Sequence, residues 1–418
     1  MALNMKDETH MDIGSWRRSK HFEELWPDDK MSIWEVKTNC SKSTFDWVGV
    51  NELDYLRLAD SFYHAGYSLA NEIIQSGFDN QKTDSWLLAD FFMLRQAIEL
   101  ILKSKIYQFA SRKQQVQDIF VNQKHNIEQL LHSVMELGEL GLGEKETDWL
   151  SQYFKDIEFW DVQSTIFRYP FQTSFYNSNP PKSVDVYETV NKLIIAYSML
   201  RGVYADDQTY LKEIPLKLPE PRFFTEQRPG FPVCYLQDSI FSGSYYSIIE
   251  AYLSVSEFLL TEVVTIPVHE ESIKFNFPAA FSMRHLLELS LKQLAVSRFS
   301  AIKSLNLRKR ISTHRVYTDL WSKLFPVIIK YSGSERPDVV GSSVNEFIKE
   351  FQELDRTGDF FRYPTECNHQ YHQLEQGIDL MNLYECVRAV TNLLYGCDAM
   401  FDDYAELEAE QYKECFDY

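Results

Sequence analysis

Residues 91–103 read FFMLRQAIELILK, and residues 280–292 read AFSMRHLLELSLK. A second pair of stretches, DVQSTIFRYP at 161–170 and DRTGDFFRYP at 355–364, shares its first aspartate and the whole of FRYP. The two pairs are displaced by 189 and 194 residues, and two anchors with nearly equal displacement indicate a tandem duplication. Aligned without a gap, the first pair shares Phe92/Phe281, Arg95/Arg284, Glu99/Glu288, Leu100/Leu289, Leu102/Leu291 and Lys103/Lys292.

Apolar residues recur at helical spacing around both anchors, and strand signals are few. In the first half this spacing predicts helices over about 52–74, 85–110, 125–138, 146–159 and 184–204, with a break near 111–124. In the second half it predicts helices over about 244–263, 279–300, 314–331, 344–354 and 377–402. The predicted fold class is therefore all-α, with two tandem bundles of four to five helices each.

Composition shifts along the chain suggest five segments. Residues 208–240 carry five prolines, which neither a helix interior nor a central strand tolerates, so they are predicted to form a linker. The predicted boundaries are an irregular N-terminal arm at 1–50, repeat 1 at 51–207, the Pro-rich linker at 208–240, repeat 2 at 241–407 and an acidic tail at 408–418.

Charge and cysteine usage narrow the class of protein. The chain has 418 residues and a formal net charge of −19, which argues against a generic nucleic-acid coat because phosphates attract Lys and Arg. The N-terminal sequence has no apolar core and no stretch is long enough to span a membrane, so a secretory signal and a membrane partner are not expected. Six scattered cysteines without a CxxC pair favour a reduced, cytoplasmic setting.

One region has the opposite charge. Residues 292–315 contain no acidic residue. Such a run either forms a local basic face for a partner or is simply a solvated surface. Its cations are Lys292, Arg298, Lys303, Arg308, Lys309, Arg310 and Arg315.

The repeated motifs resemble a known family. A helix carrying RxxxELxLK, a later helix opened by a histidine, and D…FRYP before a long final helix are similar to the HEPN superfamily of small helical bundles. The resemblance covers both repeats. It implies dimer-like pairing of bundles and a place in prokaryotic toxin–antitoxin, anti-phage or CRISPR-linked systems, either as metal-independent ribonucleases or as non-catalytic binding modules.

The resemblance also implies a catalytic candidate. Nuclease members carry an arginine, four to six intervening residues and a histidine near the start of the last long helix. Here Arg362, six intervening residues and His369 match that spacing at its upper limit, with Pro364 inside the motif. The histidine would take a proton from a ribose hydroxyl while the arginine stabilises charge on the phosphate. Repeat 1 offers Arg168 with no histidine after it, so any such site is asymmetric.

The structural interpretation of these residues is different. Because Arg168 exists without a histidine, the FRYP arginine is predicted to bind buried carbonyls or a carboxylate. Bonds from Arg168 to Glu99 and from Arg362 to Glu288 are the specific expectations. Spacing of four residues places Arg95 and Glu99 on one helical stripe, and Arg284 and Glu288 on another. These four residues are predicted to form a structural polar network in each repeat.

The remaining histidines and cysteines indicate no cofactor. His125 and His314 each open a predicted helix, where a cap or a hydrogen bond to a neighbouring loop is favoured over catalysis. Cys367, His369 and His372 form at most a corner of a metal site, which lacks the fourth ligand that structural zinc needs. No nucleotide-binding or common hydrolase motif occurs, so neither a metal nor a cofactor is expected.

Two hypotheses for function follow. In the first, the repeats form an intramolecular pseudo-dimer that acts as a binding or regulatory subunit of a defence or toxin system. RNA or a partner protein would then lie in an inter-repeat groove, and homo-oligomers are compatible with this arrangement. In the second, the chain is an endoribonuclease with one competent half-site, Arg362 and His369. The residues expected to line the groove are Arg168, Arg308, Lys309, Arg310 and His314.

Overall fold

The computed structural model confirms the all-α prediction, because helices account for most of the chain that it describes. The described residues are 25–37, 42–43, 45–76, 79, 82–161, 164–169, 181–204, 210, 212–226, 233–235, 245–265, 273–312, 314–333, 339–366, 369–374 and 376–416. Within the predicted arm, residues 25–37 contain turns and Lys42–Ser43 form a short strand.

The contacts divide the chain into two compact units that are not continuous in sequence. The repeat-1 unit consists of Asp46–Val255 together with Phe361–Gln373. The repeat-2 unit consists of Met1–Phe45, Ser256–Phe360 and Leu374–Tyr418. The second FRYP turn therefore belongs to the unit built mainly from repeat 1.

The helices of the repeat-1 unit follow the predicted order. α1 packs along α2, and α2 also packs against α4 and α6. The helices are α1 (Asn51–Gln75), α2 (Leu87–Phe109), α3 (Lys113–Gln123), α4 (Ile127–Leu137), α5 (Glu144–Trp160) and α6 (Val186–Gly202), and a π-helical turn at Lys82–Trp86 leads directly into α2. α7 (Tyr246–Thr265) begins in this unit and ends in the other.

The repeat-2 unit is built around the packing of α8 against α12. Its helices are α8 (Asn276–Ala295), α9 (Ser300–Ser304), α10 (Ser322–Tyr331), α11 (Val339–Leu354) and α12 (Leu380–Phe416), and it also contains 3₁₀ turns at Ile273–Phe275 and Leu307–Arg310 and a π-helical turn at Val316–Trp321. Pro326 lies in the middle of α10, where it removes one intrahelical hydrogen-bond donor.

The described strands are short and pair within each unit. In the repeat-2 unit β1 (Lys42–Ser43) pairs antiparallel with β4 (Ile378–Asp379). In the repeat-1 unit β2 (Val184–Asp185) pairs antiparallel with β3 (Val233–Cys234). Each pair fixes a segment next to the start of a long helix, α12 and α6 respectively.

The Pro-rich linker is in contact with the repeat-1 unit along its described part. The indole of Trp149 donates a hydrogen bond to the carbonyl of Pro219 (2.6 Å), and Lys192 donates to the hydroxyl of Thr225 (2.7 Å). Phe223 is fully buried, and its backbone N–H donates to Asp156 (2.6 Å). These residues dock onto α5 and α6, so this stretch of the linker is part of the folded unit.

α2 and α8 are the central helices of their units. From Leu87 to Ile106 every residue of α2 is buried, and α8 is buried over almost its whole length. None of the described helices is long and apolar enough to cross a membrane. Charged side chains on helices as buried as α2 and α8 need partners, because an isolated buried charge is very unfavourable. The cysteines that the structure describes as free thiols, Cys234, Cys386 and Cys397, are buried as well.

Two helices differ from the sequence prediction. The predicted break near 111–124 contains α3, whose weak periodicity is explained by its burying only Val116. α12 does not end near residue 402 but continues through the acidic stretch to Phe416. Its extension is largely exposed, so no apolar face marked it in the sequence.

One buried acid in α2 has no stabilising partner among the described residues. Asp90 is completely buried, and neither carboxylate oxygen forms a hydrogen bond there. Burial raises the pKa of Asp90 well above its ordinary value. The repeat-2 counterpart, at the 189-residue offset, is the buried Ala279. Repeat 1 therefore contains a buried carboxyl group that repeat 2 lacks, and this group lowers the stability of repeat 1.

We expect Asp90→Ala to stabilise the protein by about 1–2 kcal/mol at neutral pH, since a buried polar group without a hydrogen bond costs that order of free energy. A raised folded pKa means that the wild type loses stability as pH rises above the ordinary pKa of 3.8. The advantage of the variant should therefore be larger at pH 7 than at pH 4. Thermal melting at both values measures it, with the exposed Asp148→Ala as control. A less stable Asp90→Ala at pH 7 would show that the carboxyl is satisfied.

Candidate functional site

Arg95 lies at the centre of an ionic network in the repeat-1 unit. Its guanidinium is fully buried and reaches three acids and one carbonyl. The contacts are Nε to Asp161 Oδ2 (3.0 Å, an ion pair without hydrogen-bond geometry), Nη2 to Glu158 Oε1 (2.8 Å), Nη1 to Glu99 Oε2 (3.4 Å) and Nη2 to the carbonyl of His125 (2.9 Å). Burial alone would lower the pKa of Arg95, but the carboxylates outweigh it and raise that pKa. Arg95 therefore remains charged.

Glu99 is the main hydrogen-bond acceptor on the other side of the same network. Its Oε1 accepts from Lys103 Nζ (2.7 Å) and from the hydroxyl of Tyr363 (2.7 Å), and it lies 3.0 Å from His125 Nδ1. Burial would raise the pKa of Glu99, but Lys103, His125 and Arg95 together hold it well below its ordinary value. Glu99 is thus an ionised carboxylate that joins α2 to the second FRYP turn.

His125 has one ring nitrogen engaged by this cluster. Its Nδ1 also lies 3.0 Å from the Tyr363 hydroxyl, and its side chain is 28% exposed. Burial lowers the pKa of His125, and the nearby positive charges of Lys103 and Arg362 add to this effect against the opposing influence of Glu99. The neutral imidazole is therefore the favoured form. The hydrogen bond at Nδ1 determines its orientation.

The repeat-2 unit contains the same network in equivalent residues. Arg284 pairs through Nε with Asp355 Oδ2 (3.1 Å), donates to the carbonyl of His314 (2.8 Å) and pairs with Glu288. Glu288 Oε1 accepts from Lys292 Nζ (2.5 Å) and lies 3.2 Å from His314 Nδ1. The pKa of Glu288 lies well below its ordinary value, because Lys292 and Arg284 outweigh the effect of its burial. The duplication has thus preserved the arginine, glutamate, lysine, histidine and aspartate of a buried ionic network.

The aspartate shared by the second pair of motifs binds both the arginine of the central helix and the backbone just before FRYP. Asp161 Oδ1 accepts from the backbone N–H of Ile166 (2.8 Å), and Asp355 Oδ1 accepts from that of Phe360 (3.2 Å). The opposite oxygen of each carboxylate binds the arginine of the central helix. This double use explains why the aspartate recurs at a fixed distance before FRYP.

The networks differ at one position. Glu158 of α5 accepts from the backbone N–H of Ile127 (2.9 Å), and its counterpart at the 194-residue offset, Gln352 of α11, accepts from that of Tyr317 (3.1 Å). Burial raises the pKa of Glu158 to about 7 despite its ion pair with Arg95, since Asp161 and Glu99 add negative charge nearby. A titrating carboxyl thus accepts the backbone hydrogen bond in repeat 1, and a neutral amide accepts the equivalent bond in repeat 2.

We expect Glu158→Gln to reduce the pH dependence of stability between pH 6 and 8. In this window the folded wild type binds more protons than the unfolded chain, so its stability falls as pH rises. The variant lacks this titration and should gain about 1 kcal/mol relative to the wild type across the window. Denaturant unfolding at pH 6, 7 and 8 measures the difference, with the exposed Glu139→Gln as control. Parallel pH profiles for Glu158→Gln and the wild type would contradict the raised pKa of Glu158.

The two residues proposed for catalysis do not touch each other in the described structure. Arg362 is buried, and its backbone carbonyl accepts from the side-chain amide of Gln96 (3.2 Å). The Nδ1 of His369 lies 2.6 Å from the Tyr107 hydroxyl, and its ring stacks on Phe120 at 5.9 Å. Arg362 is not among the contacts of His369, so these residues lie in one segment without forming an Arg–His pair.

His369 has a backbone conformation that a non-glycine residue seldom adopts, with a φ of 62°. Burial lowers its pKa, and the positive charge of Lys113 lowers it further. The neutral imidazole is therefore favoured, with Nδ1 at the tyrosine and the ring half-exposed. A proton-transfer role would use this neutral, half-exposed imidazole.

Arg168 does not bind Glu99, so that prediction is wrong. Its Nε and Nη2 both donate to the carbonyl of Ser164 (3.0 and 2.9 Å), within the turn that follows α5. Ser164 has a φ of 57°, which turns its carbonyl toward the arginine. The acceptor is thus a buried backbone carbonyl, the other ligand that the motif suggested.

The remaining groove candidates lie in the repeat-2 unit, whereas Arg168 belongs to the repeat-1 unit. Arg308, Lys309 and Arg310 are exposed on the 3₁₀ turn, with Arg310 paired to Asp319 (2.9 Å) and Arg308 donating to the carbonyl of Val296 (3.0 Å). His314 is one-third exposed and is held by the network described above. Three exposed cations and one anchored imidazole thus lie close along the chain.

The described residues contain no group of three or more histidine, cysteine or acidic side chains able to hold a metal ion. Cys367 lies outside the described residues. No protein-family description, curated protein or solved structure matches the chain. The function must therefore be argued from its own residues.

Sequence reasoning missed the partners that complete each network. Asp161, Asp355 and Tyr363 were visible as shared motif residues, but their contacts with the central helices were not foreseen. The signal was the recurrence itself: the lysine and the histidine recur at the 189-residue offset of the arginine and glutamate, and the aspartate recurs at the 194-residue offset of FRYP. Ionisable residues that recur together at nearly equal displacements are candidates for a single cluster.

Proposed function

We propose that the chain is a non-catalytic binding or regulatory subunit of a prokaryotic defence or toxin system, and that it engages RNA or a partner protein. The observation that carries this proposal is the geometry of the FRYP segment of repeat 2. Arg362 is buried, and His369 is held by Tyr107 rather than placed beside that arginine. General acid–base chemistry on a phosphodiester needs both groups within reach of one phosphate.

The use of the duplicated residues supports the same conclusion. Arginine, glutamate, lysine and histidine recur in both repeats as buried networks. Buried ion pairs and hydrogen bonds of this kind hold a scaffold in one arrangement. No equivalent of His369 occurs in repeat 1. The residues that recur in both repeats are therefore those of a structural scaffold, which can carry binding surfaces.

We also propose that the two repeats pair as an intramolecular pseudo-dimer. The support is the recurrence of one network in two bundles of a single chain, which is the arrangement expected when a paired module has been duplicated. Small-angle scattering of the full chain in solution tests it. A profile of two separated bodies would contradict the pairing.

A metal-independent endoribonuclease is the second candidate, and the conformation of His369 favours it. Strained backbone at a non-glycine residue is a recurrent feature of functional sites, and the neutral imidazole suits a general base. Arg362 would have to leave its buried position to contact a phosphate, which the non-catalytic function does not require.

One experiment decides between the two. Purified protein is incubated with tRNA and total RNA in EDTA, beside Arg362→Ala and His369→Ala variants, with His372→Ala from the same segment as matched control. Intact RNA in all samples supports the binding function. EDTA-resistant cleavage that is lost in the first two variants and kept in the control would overturn it and establish the ribonuclease.

A further inference from the structure

The repeat-2 unit presents a dense set of exposed cations on a short stretch of chain, here called the basic segment, residues 298–315. The structure describes all of it except Thr313. It contains no acidic residue, although the whole chain has a net charge of −19. Its exposed cations are Arg298, Lys303, Arg308, Lys309, Arg310 and Arg315.

Buried side chains hold the basic segment in place. Phe299, Ile302 and Leu307 are each at most 2% exposed. Phe299 packs against Tyr331 at a ring distance of 4.7 Å. The cations are therefore carried on a fixed support, and a pre-organised set of charges loses little conformational freedom on binding.

The ionic network of the repeat-2 unit anchors the far end of the segment. Arg284 binds the carbonyl of His314, and Glu288 lies against its imidazole. Arg315 follows immediately and is exposed. The duplicated network thus has a specific consequence in repeat 2, which is to fix the position where the basic segment ends.

The exposed chemistry of the segment identifies the class of partner. Among its described residues, no large hydrophobic side chain is exposed. Protein interfaces depend on buried aromatic or apolar anchors, which are missing here. Four of the six cations are arginines, whose planar fork matches phosphate oxygens. A polyanion that offers regularly spaced phosphates suits this surface better than a folded protein does.

We propose that the basic segment binds the phosphate backbone of single-stranded RNA. This inference rests on the binding function proposed above, and it names both the ligand and the surface. The exposed pair of Arg310 with Asp319 is easily exchanged for phosphate, because exposed ion pairs contribute little. Contacts of this kind carry no base specificity.

The acidic part of α12 borders one end of this surface. Glu408 accepts from the backbone N–H of Ser300 (3.1 Å) and from its hydroxyl. Asp402 of the same helix interacts electrostatically with Arg298. Negative charge here repels a phosphate chain from the start of the segment. The RNA contact should therefore centre on Arg308, Lys309 and Arg310.

The test measures the affinity of the full chain for a fluorescent single-stranded RNA oligonucleotide by anisotropy, over a series of KCl concentrations. The variant is Arg308→Gln/Lys309→Gln/Arg310→Gln. The control is Lys145→Gln/Lys182→Gln/Lys217→Gln, which removes the same charge from exposed positions elsewhere. We expect the variant to lose roughly tenfold or more in affinity, and its plot of log affinity against log salt to become shallower by about 2. The control should change neither quantity by more than a small fraction of this.

Thermal melting of each variant first verifies that the fold is intact, which is expected because all six substituted side chains are exposed. Equal RNA affinity in the variant and the control would overturn the inference and leave the binding function standing. An RNA-binding failure of the wild type, combined with binding of polyglutamate through the same three residues, would overturn it in favour of an acidic protein partner. EDTA-resistant cleavage of the RNA would count against the non-catalytic function proposed for the chain, and not against RNA binding by the basic segment.

Discussion

Replacing Arg95 with alanine is expected to destabilise the repeat-1 unit by about 3–5 kcal/mol. The substitution leaves the carboxylates of Glu99, Glu158 and Asp161 buried without the cation that all three share. Asp161 would keep the backbone N–H of Ile166, and Glu158 would keep that of Ile127. Hydrogen bonds from neutral donors do not compensate a buried negative charge, so the loss exceeds that of an ordinary side-chain truncation.

Hydrogen–deuterium exchange followed by mass spectrometry locates this loss. Protection should fall in α2, α4 and α5, which the network joins, and should fall less in α8 and α12. The control is Arg57→Ala in α1, because Arg57 is half-exposed and only 3.9 Å from Asp54, a geometry worth at most about 1 kcal/mol. Unchanged protection of α2 in the Arg95 variant would mean that the network contributes nothing to stability.

The contrast between these two arginines shows what the sequence could establish. Both have an acid within helical reach, and spacing alone does not separate them. The repetition of Arg95 as Arg284, inside a helix with apolar residues on all sides, indicated that this arginine is buried and paired. Arg57 lies on an amphipathic helix and belongs to its polar face. Burial, read from the pattern of neighbours, was therefore predictable.

The long-range partners were not predictable in the same way. Asp161 reaches Arg95 across 66 residues of chain only because the turn after α5 returns to α2. Tyr363 reaches Glu99 from the other half of the sequence, since the segment 361–373 packs in the repeat-1 unit. Helical periodicity reports which face of one helix is apolar. It does not report which turn of another element fills the space beside that face.

The candidate site also combines features that the sequence predicts with features that it does not. The exposed cations of the basic segment were visible in the sequence as a run without acids, because exposure and charge are local properties. His369 instead binds Tyr107, which lies about 260 residues away in the chain. A motif defined by spacing cannot anticipate that a distant tyrosine binds its histidine.

The second large effect is expected in the repeat-2 unit, where Glu288→Gln should cost about 3–5 kcal/mol of stability. Glu288 and Lys292 are each only 1% exposed, and the carboxylate is also paired with Arg284. Glutamine preserves the shape of the side chain and removes its charge. The cost therefore measures the burial of two cations without this carboxylate, and not the loss of packing.

The pH dependence of this effect separates a charge effect from a packing effect. The folded pKa of Glu288 lies well below its ordinary value of 4.5, so its contribution is present above that value and is lost as pH falls toward the folded pKa. The advantage of the wild type over Glu288→Gln should accordingly be full at pH 7 and should shrink below about pH 4.5. Denaturant unfolding with exchange at α8 measures it, and Glu346→Gln, whose pair with Lys349 is half-exposed, serves as control within about 1 kcal/mol. A deficit that stays constant with pH would assign the effect to packing and would remove the ionic network as the element that holds the end of the basic segment.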